Sequence, residues 1–298
     1  MIKIIIINRD FGVRLDKYLK SKFTALTQSF IEKNIRKKNI IINNLKTSAK
    51  YIVEKNDELK ILNFHKEKYK NKIIFKKNIV VPNELLKLFN KSIIYENKNF
   101  LILDKWPSIS TQGGSKINIS IDDIIKKISN QYRLVHRLDM ETSGLLIISK
   151  NLETAKKFGK LFQLKNIEKT YLAICEGKPK ITESIVELDM KNKFEKIDKT
   201  ETYYKVLYFN GGVSFILFKP KTGKIHQIRK VSKNLGSPII GDNKYNSHSI
   251  FKKENLMLNA YELKFIIDNK DFKFCTDIPD HFNLFIKKNR LKSMKKFL

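Results

Sequence analysis

The sequence predicts an α+β protein built from two units, a small one over residues 12–62 and a larger one over residues 91–298. In the larger part, short strand-like segments are mixed with only occasional helical ones, which favours a mixed, largely antiparallel sheet flanked by helices over a doubly wound sheet. The tripeptide Asn210-Gly211-Gly212 separates two of these segments and is a strong hairpin signal. A lysine-rich stretch of weak pattern, residues 63–90, is predicted to link the units.

The small unit begins with two predicted helices. Apolar residues recur at helical spacing in the first, at Leu15, Tyr18, Leu19 and Phe23. Thr27 or Ser29 can cap the second helix, whose inward-facing residues are Phe30, Ile31 and Ile35. The rest of the unit is predicted as a short strand, a turn and a closing strand, at Ile40–Ile42, Asn43-Asn44 and Glu58–Leu62.

Lys33, Arg36 and Lys37 form a basic stripe on the second helix, because residues three and four positions apart share one helix face. Such a stripe is usually a solvated surface, but almost no acidic residues stand opposite this one, so RNA contact is favoured. The unit resembles the S4 RNA-binding domain in its segment Arg14–Leu19 (RLDKYL), its basic second helix and its closing strand. The resemblance implies that RNA contacts come from Arg14, Lys33, Arg36 and Lys37.

Five strands and two helices are predicted in the larger unit, and the second helix follows Thr222-Gly223. The strands are rich in β-branched and aromatic residues and are placed at Phe100–Asp104, Gly144–Ser149, Thr170–Glu176, Thr202–Phe209 and Val213–Lys219. A helix at Leu152–Leu164 separates the second strand from the third. The unit shows no internal repeat, which argues against a repeat architecture.

Charge is the outlying property of the chain. It has 60 basic and 30 acidic residues, for a formal net charge of +30. An A/T-rich genome would explain the use of lysine over arginine but not the shortage of acids, so a polyanion is the predicted partner. An anionic membrane surface is the alternative. The lysines are spread along the chain rather than gathered on one amphipathic helix, which suits a wide nucleic-acid footprint better.

The sequence gives no sign of a membrane span, a signal peptide or a lipid anchor. Its longest aliphatic run, Ile4–Ile7, is far too short to cross a bilayer. Cys175 and Cys275 lie far apart without a paired-cysteine motif, which predicts free thiols in a reducing cytosol. The five histidines show no metal-ligand spacing. We therefore expect a cytoplasmic protein without a structural metal.

The segment His136–Ser149 (HRLDMETSGLLIIS) carries three ionisable side chains in four residues and then enters an aliphatic run. Charges at the mouth of a buried strand are costly unless they are paired or used, which favours a functional site. The structural alternative is that Arg137 pairs with Asp139 on one strand face and that His136 is a core histidine.

A second cluster spans Lys219–Gly236. Thr222-Gly223 is predicted to turn the chain out of a strand, and a helix is predicted to follow it and end at Gly236. One face of this helix is predicted from Ile225, Ile228 and Leu235, and another from His226, Arg229, Lys230 and Lys233. A solvated basic helix is the alternative. The chain has only seven arginines, and Arg137 and Arg229 fall in these two clusters, which favours carboxylate pairing or nucleic-acid contact.

Three motifs, in order and suitably spaced, resemble those of the RluA-type pseudouridine synthases. They are His136–Leu146 (HRLDMETSGLL), Lys169–Gly177 (KTYLAICEG) and Thr222–Tyr245, and the resemblance extends over residues 93–265. The S4-like unit in front narrows the resemblance to the branch that acts on large-subunit ribosomal RNA. The tripeptide Gly113–Ser115 narrows it further, to one enzyme type of that branch.

The resemblance implies an enzyme that isomerises uridines of 23S (large-subunit) ribosomal RNA to pseudouridine, without a cofactor; a monomer is the default expectation. By the same resemblance Asp139 is the catalytic carboxylate, Arg229 pairs with it, and Tyr171 stacks on the uracil. Arg137 is implied to fill the RNA helix when the target base is flipped out. Further RNA contacts are expected from His136, His226 and Lys224.

Several positions depart from the family pattern without removing a proposed catalytic group. They are Lys105-Trp106-Pro107-Ser108 in place of a Lys-Pro-x-Gly turn, Lys224 in place of Arg, Lys230-Val231 in place of a following His, and Asn259 in place of His. Two other interpretations stay open, an enzyme of the same chemistry that modifies tRNA and a non-catalytic RNA-binding factor of ribosome assembly. The presence of Asp139, Tyr171 and Arg229 together favours an enzyme, and the S4-like unit favours rRNA.

Overall fold

The structure is a computed structural model that describes residues 2–71, 80–114, 117–191 and 197–298. The chain divides into two compact units, residues 1–78 and 79–298. No helix within the described ranges is long and apolar enough to cross a membrane. In the same ranges, no cluster of three or more His, Cys, Asp or Glu side chains is arranged to hold a metal ion. Cys175 is a buried free thiol and Cys275 an exposed one.

The first unit contains two helices and a three-stranded sheet. Its elements are β1 (Lys3–Ile6), α1 (Leu15–Lys22), α2 (Gln28–Arg36), β2 (Ile40–Ile42) and β3 (Glu58–Ile61). Both β1 and β2 pair antiparallel with β3, which is therefore the central strand. The two predicted helices and the two predicted strands are confirmed, whereas β1 was recognised only as an aliphatic run.

The core of the first unit follows the predicted helical spacing. The apolar residues of α1 and the terminal Phe23 are buried, and so are Ile31 and Ile35 on α2. Thr27, not Ser29, caps α2, because its hydroxyl accepts a hydrogen bond from the Phe30 N–H at 3.2 Å. The basic stripe is exposed on the opposite face of the helix.

The predicted linker, residues 63–90, is shorter than expected at both ends. Phe64 and Tyr69 are buried in the core of the first unit, where their rings stack with centroids 5.0 Å apart. At the other end, α3 (Asn83–Lys91) belongs to the second unit and buries Phe89. These aromatic residues join the cores although the segment as a whole is polar and rich in lysine, because each can bury a large apolar surface. Residues 72–79, in the middle of the predicted linker, lie outside the described residues.

The second unit has a large sheet with helices packed against it. Its strands are β4 (Ile93–Glu96), β5 (Phe100–Lys105), β6 (Arg133–Leu134), β7 (Ser143–Ser149), β8 (Ile167–Glu176), β9 (Glu183–Lys191), β10 (Ile197–Asn210), β11 (Val213–Pro220), β12 (Leu258–Ile267) and β13 (Lys270–Cys275). Its further helices are α4 (Ile121–Ile128), α5 (Leu152–Gln163), α6 (Gln227–Asn234) and α7 (Asp280–Lys288), followed by a 3₁₀ turn at Met294–Phe297.

The strand order is β4-β5-β7-β12-β8-β11-β10-β9, with β13 beside β12 and β6 beside β7. Among the described strands, β7 and β12 are the one parallel pair and all other pairs are antiparallel. This confirms the predicted mixed, largely antiparallel sheet. The predicted hairpin joins β10 to β11, where Asn210 pairs with Val213 and both intervening glycines have positive φ.

The parallel contact between β7 and β12 is a short seam in the middle of the sheet. Ser143 pairs with Asn259 and Gly144 with Ala260. Gly144 has φ +107°, and a Cβ at this position would lie only 2.3 Å from Asn259 Oδ1 and 2.4 Å from the Ala260 carbonyl oxygen. Only glycine fits there. The seam thereby fixes the start of β7 and the charged loop that precedes it.

Candidate active site

Asp139, Tyr171 and Arg229, the residues predicted to be catalytic, line one cavity of about 180 Å³ in the second unit. They come from three separate elements: the loop before β7, strand β8 and helix α6. Arg137, Lys169 and Leu258 line the same cavity. The three sequence motifs that lie far apart in the chain therefore meet at one place in the fold.

The Asp139 carboxylate has no hydrogen bond from any described residue, although two basic side chains approach it. Its Oδ2 atom lies 3.8 Å from His226 Nε2 and 3.9 Å from Arg229 Nη1, and its side chain is 25% exposed. Both distances exceed a hydrogen bond, so the carboxylate keeps acceptor positions for a ligand.

The loop that carries Asp139 is held by buried groups beneath it. The Lys105 ammonium is fully buried and donates to the carbonyl oxygens of Trp106, Ile109 and Met140 at 2.9–3.0 Å. The Thr111 hydroxyl donates to the Leu138 carbonyl oxygen at 2.7 Å. These bonds fix the backbone on both sides of Asp139. Burial lowers the pKa of Lys105 to about 7, although nearby carboxylates, that of Asp139 first, partly oppose this shift.

The departure at Ser108 does not abolish the turn after β5. Ser108 takes the left-handed conformation, with φ +64°, that a glycine would adopt more easily. The Lys105 contacts described above span this turn, since they reach the carbonyl oxygens on both of its sides. The turn geometry is thus kept by a strained serine.

Arg229 forms the predicted ion pair with Asp139, with 3.9 Å between Nη1 and Oδ2, and a shorter two-point pair with Asp242 that was not predicted. Its Nε and Nη2 atoms donate to the two Asp242 oxygens at 2.7 and 2.5 Å. Asp242 Oδ1 also accepts the backbone N–H groups of Lys244 and Tyr245, both at 3.0 Å. Burial opposes the charge on Arg229, but the hydrogen bonds and charge of Asp242 prevail and raise its pKa. Asp242 lies in the third sequence motif, and that was the available signal for it.

His226 lies at the entrance to α6 rather than on its surface. Its backbone is left-handed, with φ +54°, and its Nδ1 atom is 3.0 Å from the Tyr245 hydroxyl. Burial lowers the pKa of His226, and the Asp139 carboxylate opposes this in part. The helix begins only at Gln227, so Ile225 is not on its apolar face as predicted; its side chain is 69% exposed. The predicted end of the helix at Gly236 is confirmed, with φ +72°.

Tyr171 is half-buried on β8, where its backbone pairs with Phe218 and Ala260. Burial raises the pKa of its hydroxyl, and the negative charge of Asp139 raises it further. The hydroxyl is therefore protonated at neutral pH. Lys169, two residues earlier on the same strand face, also lines the cavity, and burial lowers the pKa of its ammonium group.

His136 makes two contacts within the protein, and its predicted RNA contact stays a prediction. Its Nε2 atom accepts a hydrogen bond from the Ile147 N–H at 2.8 Å, and its ring packs on Phe162 with centroids 4.9 Å apart. Burial lowers the pKa of His136 to about 3. A neutral ring that accepts from the backbone of β7 stabilises the strand, as the structural interpretation of this residue proposed.

The other residues predicted to contact RNA are exposed, and they occupy both units. In the second unit Arg137 is exposed at the cavity, and Lys224 is exposed but paired with Asp198 at 3.1 Å. In the first unit Lys33, Arg36 and Lys37 are exposed on α2. Arg14 forms a two-point ion pair with the buried Asp16, at 2.6 and 3.1 Å, so part of its role is structural.

Comparison with known proteins identifies the class. Residues 99–234 match the family model of RNA pseudouridylate synthase, and this range contains Asp139, Tyr171 and Arg229. A solved structure of human RNA pseudouridylate synthase domain containing 4 superposes with a TM-score of 0.62 at 22% identity, over 71% of this chain and 97% of that one. This structural similarity, at 22% sequence identity, shows that the second unit has the pseudouridylate synthase fold. The chain belongs to the RNA pseudouridylate synthase family and is a pseudouridine synthase, an isomerase.

Relatives that match almost the whole chain narrow the assignment. The protein of Rickettsia bellii named ribosomal large subunit pseudouridine synthase C is 35% identical over 302 residues, which cover 94% of this chain and 99% of the relative. The protein of the same name from Buchnera aphidicola subsp. Schizaphis graminum is 30% identical over 89% of this chain and 90% of its own. The resemblance to the C type, which Gly113–Ser115 indicated, is confirmed.

Proposed function

We propose that this chain converts specific uridines of 23S ribosomal RNA into pseudouridine, with Asp139 as its catalytic carboxylate. The observation that carries the proposal is the meeting of Asp139, Tyr171 and Arg229 at one cavity. The names of the full-length relatives, which specify the ribosomal large subunit, support the substrate. The net charge of +30 suits a ribosomal RNA, because phosphate contacts supply much of the affinity for such a polyanion.

The reaction requires no external oxidant or energy source. The bond between N1 of uracil and C1′ of ribose breaks, the base turns, and C5 bonds to C1′ instead. C5 loses a proton and N1 gains one, so atoms and electrons balance. Asp139 serves this sequence as a nucleophile or as a base at the ribose, since its carboxylate has free acceptor positions toward the cavity.

Three residues around Asp139 are assigned the other roles in the reaction. Arg229 is oriented by its two bonds to Asp242 and presents its third nitrogen, Nη1, toward Asp139. Tyr171 supplies a ring for the uracil to stack on and a protonated hydroxyl near its C5. Arg137, exposed at the same cavity, takes the place that the target base leaves when it is flipped out of the RNA.

The first unit is proposed to be an S4-type RNA-binding domain that uses α2 to hold the RNA. Its exposed Lys33 and Lys37 would each replace counterions on phosphates. We expect Lys33→Gln/Lys37→Gln to reduce the slope of log Kd against log salt by about 2. The matched control, Lys17→Gln/Lys20→Gln on α1, should leave the slope unchanged. Equal slopes for the two double variants would contradict the assignment of α2.

We further propose a monomer that works in the cytoplasm, where ribosomal RNA is made and folded. The test of the function is carbodiimide mapping of pseudouridine in large-subunit rRNA. It compares cells with the native gene, without it, with Asp139→Asn, and with the exposed control Asp271→Asn. The proposal expects specific signals to disappear without the gene and with Asp139→Asn, and to persist with the control.

Other results of the mapping would redirect the proposal. Signals that disappear without the gene but persist with Asp139→Asn would leave the function standing and remove Asp139 from the chemistry. If the large-subunit signals are the same in all strains, tRNA from the same cells is mapped next. An unchanged tRNA pattern as well would favour a protein that binds RNA without modifying it.

A further inference from the structure

The mouth of the catalytic cavity carries an exposed apolar side chain, that of Ile225. It lines the cavity together with Arg137 and is 69% exposed. We infer that Ile225 is a wedge that packs against the RNA base next to the flipped uridine. The inference rests on the proposed function and assigns to it a second contact that keeps the RNA open, besides that of Arg137.

The loop that carries Ile225 is fixed by hydrogen bonds to the Gln227 side chain. The Gln227 side chain, which is buried, accepts hydrogen bonds from the Thr222 hydroxyl at 2.8 Å and from the Lys224 N–H at 3.0 Å. Its amide nitrogen donates to the buried Thr202 hydroxyl at 2.9 Å and to the Glu201 carbonyl oxygen at 3.2 Å. One buried side chain thus ties the loop to β10.

The residues on both sides of Ile225 are also fixed. Lys224 is paired with Asp198, and His226 is held by Tyr245 in a left-handed conformation that a non-glycine residue adopts only when its surroundings impose it. The exposure of Ile225 is therefore not that of a loose loop. An apolar side chain that is already held in place loses little conformational freedom on binding, which favours a contact role.

The charges around Ile225 point to RNA as its partner rather than to a protein surface of ordinary composition. Arg137, Lys169 and Lys224 line the same cavity, and Asp139 is the one carboxylate among its described lining residues. A ligand that suits this mouth has negative charge and flat apolar faces close together. A nucleotide chain has both, since each phosphate is followed by a base.

Flipping a uridine out of a stack leaves the face of the neighbouring base without its partner. Several proteins that bend DNA insert isoleucine, leucine or phenylalanine between neighbouring bases and unstack them, which shows that an apolar side chain can cover an exposed base face. Arg137 offers a planar cation for the vacated place, and Ile225 offers an apolar surface for the exposed base. Isolated exposed isoleucines such as Ile250, 83% exposed, are common on proteins, but Ile250 is not among the lining residues of this cavity.

The test is a double substitution, in the protein and in the RNA. The RNA is a stem-loop of large-subunit sequence around a mapped uridine, made intact or with an abasic site directly 5′ or 3′ of that uridine. Single-turnover rates are measured for the native chain, Ile225→Ala, Ile225→Leu and the control Ile250→Ala. On intact RNA we expect Ile225→Ala to be about tenfold slower, and Ile225→Leu and Ile250→Ala to be near native.

The abasic RNAs decide where Ile225 makes its contact. If it packs on a neighbouring base, the difference between native chain and Ile225→Ala disappears on one of the two abasic RNAs. The same tenfold loss on all three RNAs would mean that Ile225 acts only through its own loop and would overturn the inference. So would a native rate for Ile225→Ala on intact RNA.

A binding measurement separates this inference from the proposed function. The stem-loop is also made with 2-aminopurine beside the uridine, and its fluorescence is followed on titration with native chain or Ile225→Ala. The wedge predicts a change in fluorescence at saturation that is much smaller for the variant. If the native chain binds the stem-loop but does not convert its uridine, the proposed function fails on this RNA, yet the titration still decides the contact; equal changes would refute it.

Discussion

Two aspartates, one in each unit, use similar carboxylates in opposite ways. Asp57 of the first unit is 5% exposed, and its oxygens accept from the Asn43 amide, the Tyr51 hydroxyl and the Glu54 N–H at 2.8–3.0 Å. Asp139 of the second unit faces a cavity and has no hydrogen bond from any described residue. The Asp57 carboxylate accepts its hydrogen bonds from groups of the protein itself, whereas the Asp139 carboxylate can accept hydrogen bonds from a ligand.

Charge alone does not distinguish the two carboxylates, whereas their hydrogen bonds do: those of Asp57 are made within the protein, and Asp139, the proposed catalytic carboxylate, has none from the described residues. Asp242 makes the same point within the active site. Asp242 is buried, and its two oxygens accept hydrogen bonds from Arg229 and from two backbone N–H groups. Asp242 therefore positions the arginine, and Asp139 remains for the ligand.

The largest expected effect comes from Asp139→Asn. The amide can act neither as a nucleophile nor as a base, so the single-turnover rate should fall by at least about a thousandfold. Because no described residue depends on the carboxylate for a hydrogen bond, the Tm should change by no more than about 2 °C. Parallel rate measurements and thermal melts check this. A large drop in Tm would place Asp139 among the structural carboxylates.

Arg229→Lys is expected to have the second largest effect. Lysine cannot reproduce the two-point contact with Asp242, so the positive charge moves away from Asp139. A displacement of this kind should lower kcat by about a hundredfold and leave KM within about threefold. The adjacent Lys230→Arg is the control and should be near native. If Arg229→Lys changed KM alone, Arg229 would be a binding residue.

Asp57→Asn should affect stability and leave the chemistry intact. The substitution removes one acceptor oxygen and leaves buried donors unsatisfied, which should cost about 1–3 kcal/mol of unfolding free energy. Urea unfolding measures this cost. The control in the same unit is Asp10→Asn, whose exposed pair with Lys22 should be worth less than about 0.5 kcal/mol. A lower single-turnover rate at saturating RNA would contradict the division of roles.

The smallest expected effect concerns a third kind of carboxylate, Asp104. Burial and then the nearby charge of Asp277 raise its pKa to about 6, whereas hydrogen bonds outweigh burial at Asp57 and lower the pKa there. A raised pKa means that the folded state binds more protons than the unfolded state from pH 4 to pH 6, so stability is lost as the pH rises through this window. Asp104→Asn should therefore raise the Tm by a few degrees at pH 7.5 and less at pH 4. Equal changes at both pH values would contradict the assigned cause.

The features that the sequence predicted are those that local patterns determine. Apolar spacing predicted the helices that the structure shows as α1 and α2, and Asn210–Gly212 predicted the β10–β11 hairpin. Motif resemblance selected Asp139, Tyr171 and Arg229, which line one cavity. The helices and the hairpin depend on residues that are neighbours in sequence, and the three cavity residues were identified through the motifs of a known family.

The features that were missed depend on distant parts of the chain. Asp242 is thirteen positions from Arg229, and only the turn after α6 brings them together. The hydrogen bond that the His136 ring accepts from the Ile147 N–H on β7 was not predicted either. The strand β12 was not predicted, because its place between β7 and β8 is set by long-range pairing.

The two-residue pairing between β7 and β12 also bears on the order in which contacts form during folding. Ser143 and Asn259 are more than a hundred residues apart, and contacts of such long range form late in folding because a large loop must first close. Asp139 precedes one side of this seam, and Leu258, which lines the cavity, precedes the other. During synthesis, a chain that has not yet emerged to residue 260 therefore holds the motifs but no finished pocket. We therefore expect the cavity to be completed only when β12 docks.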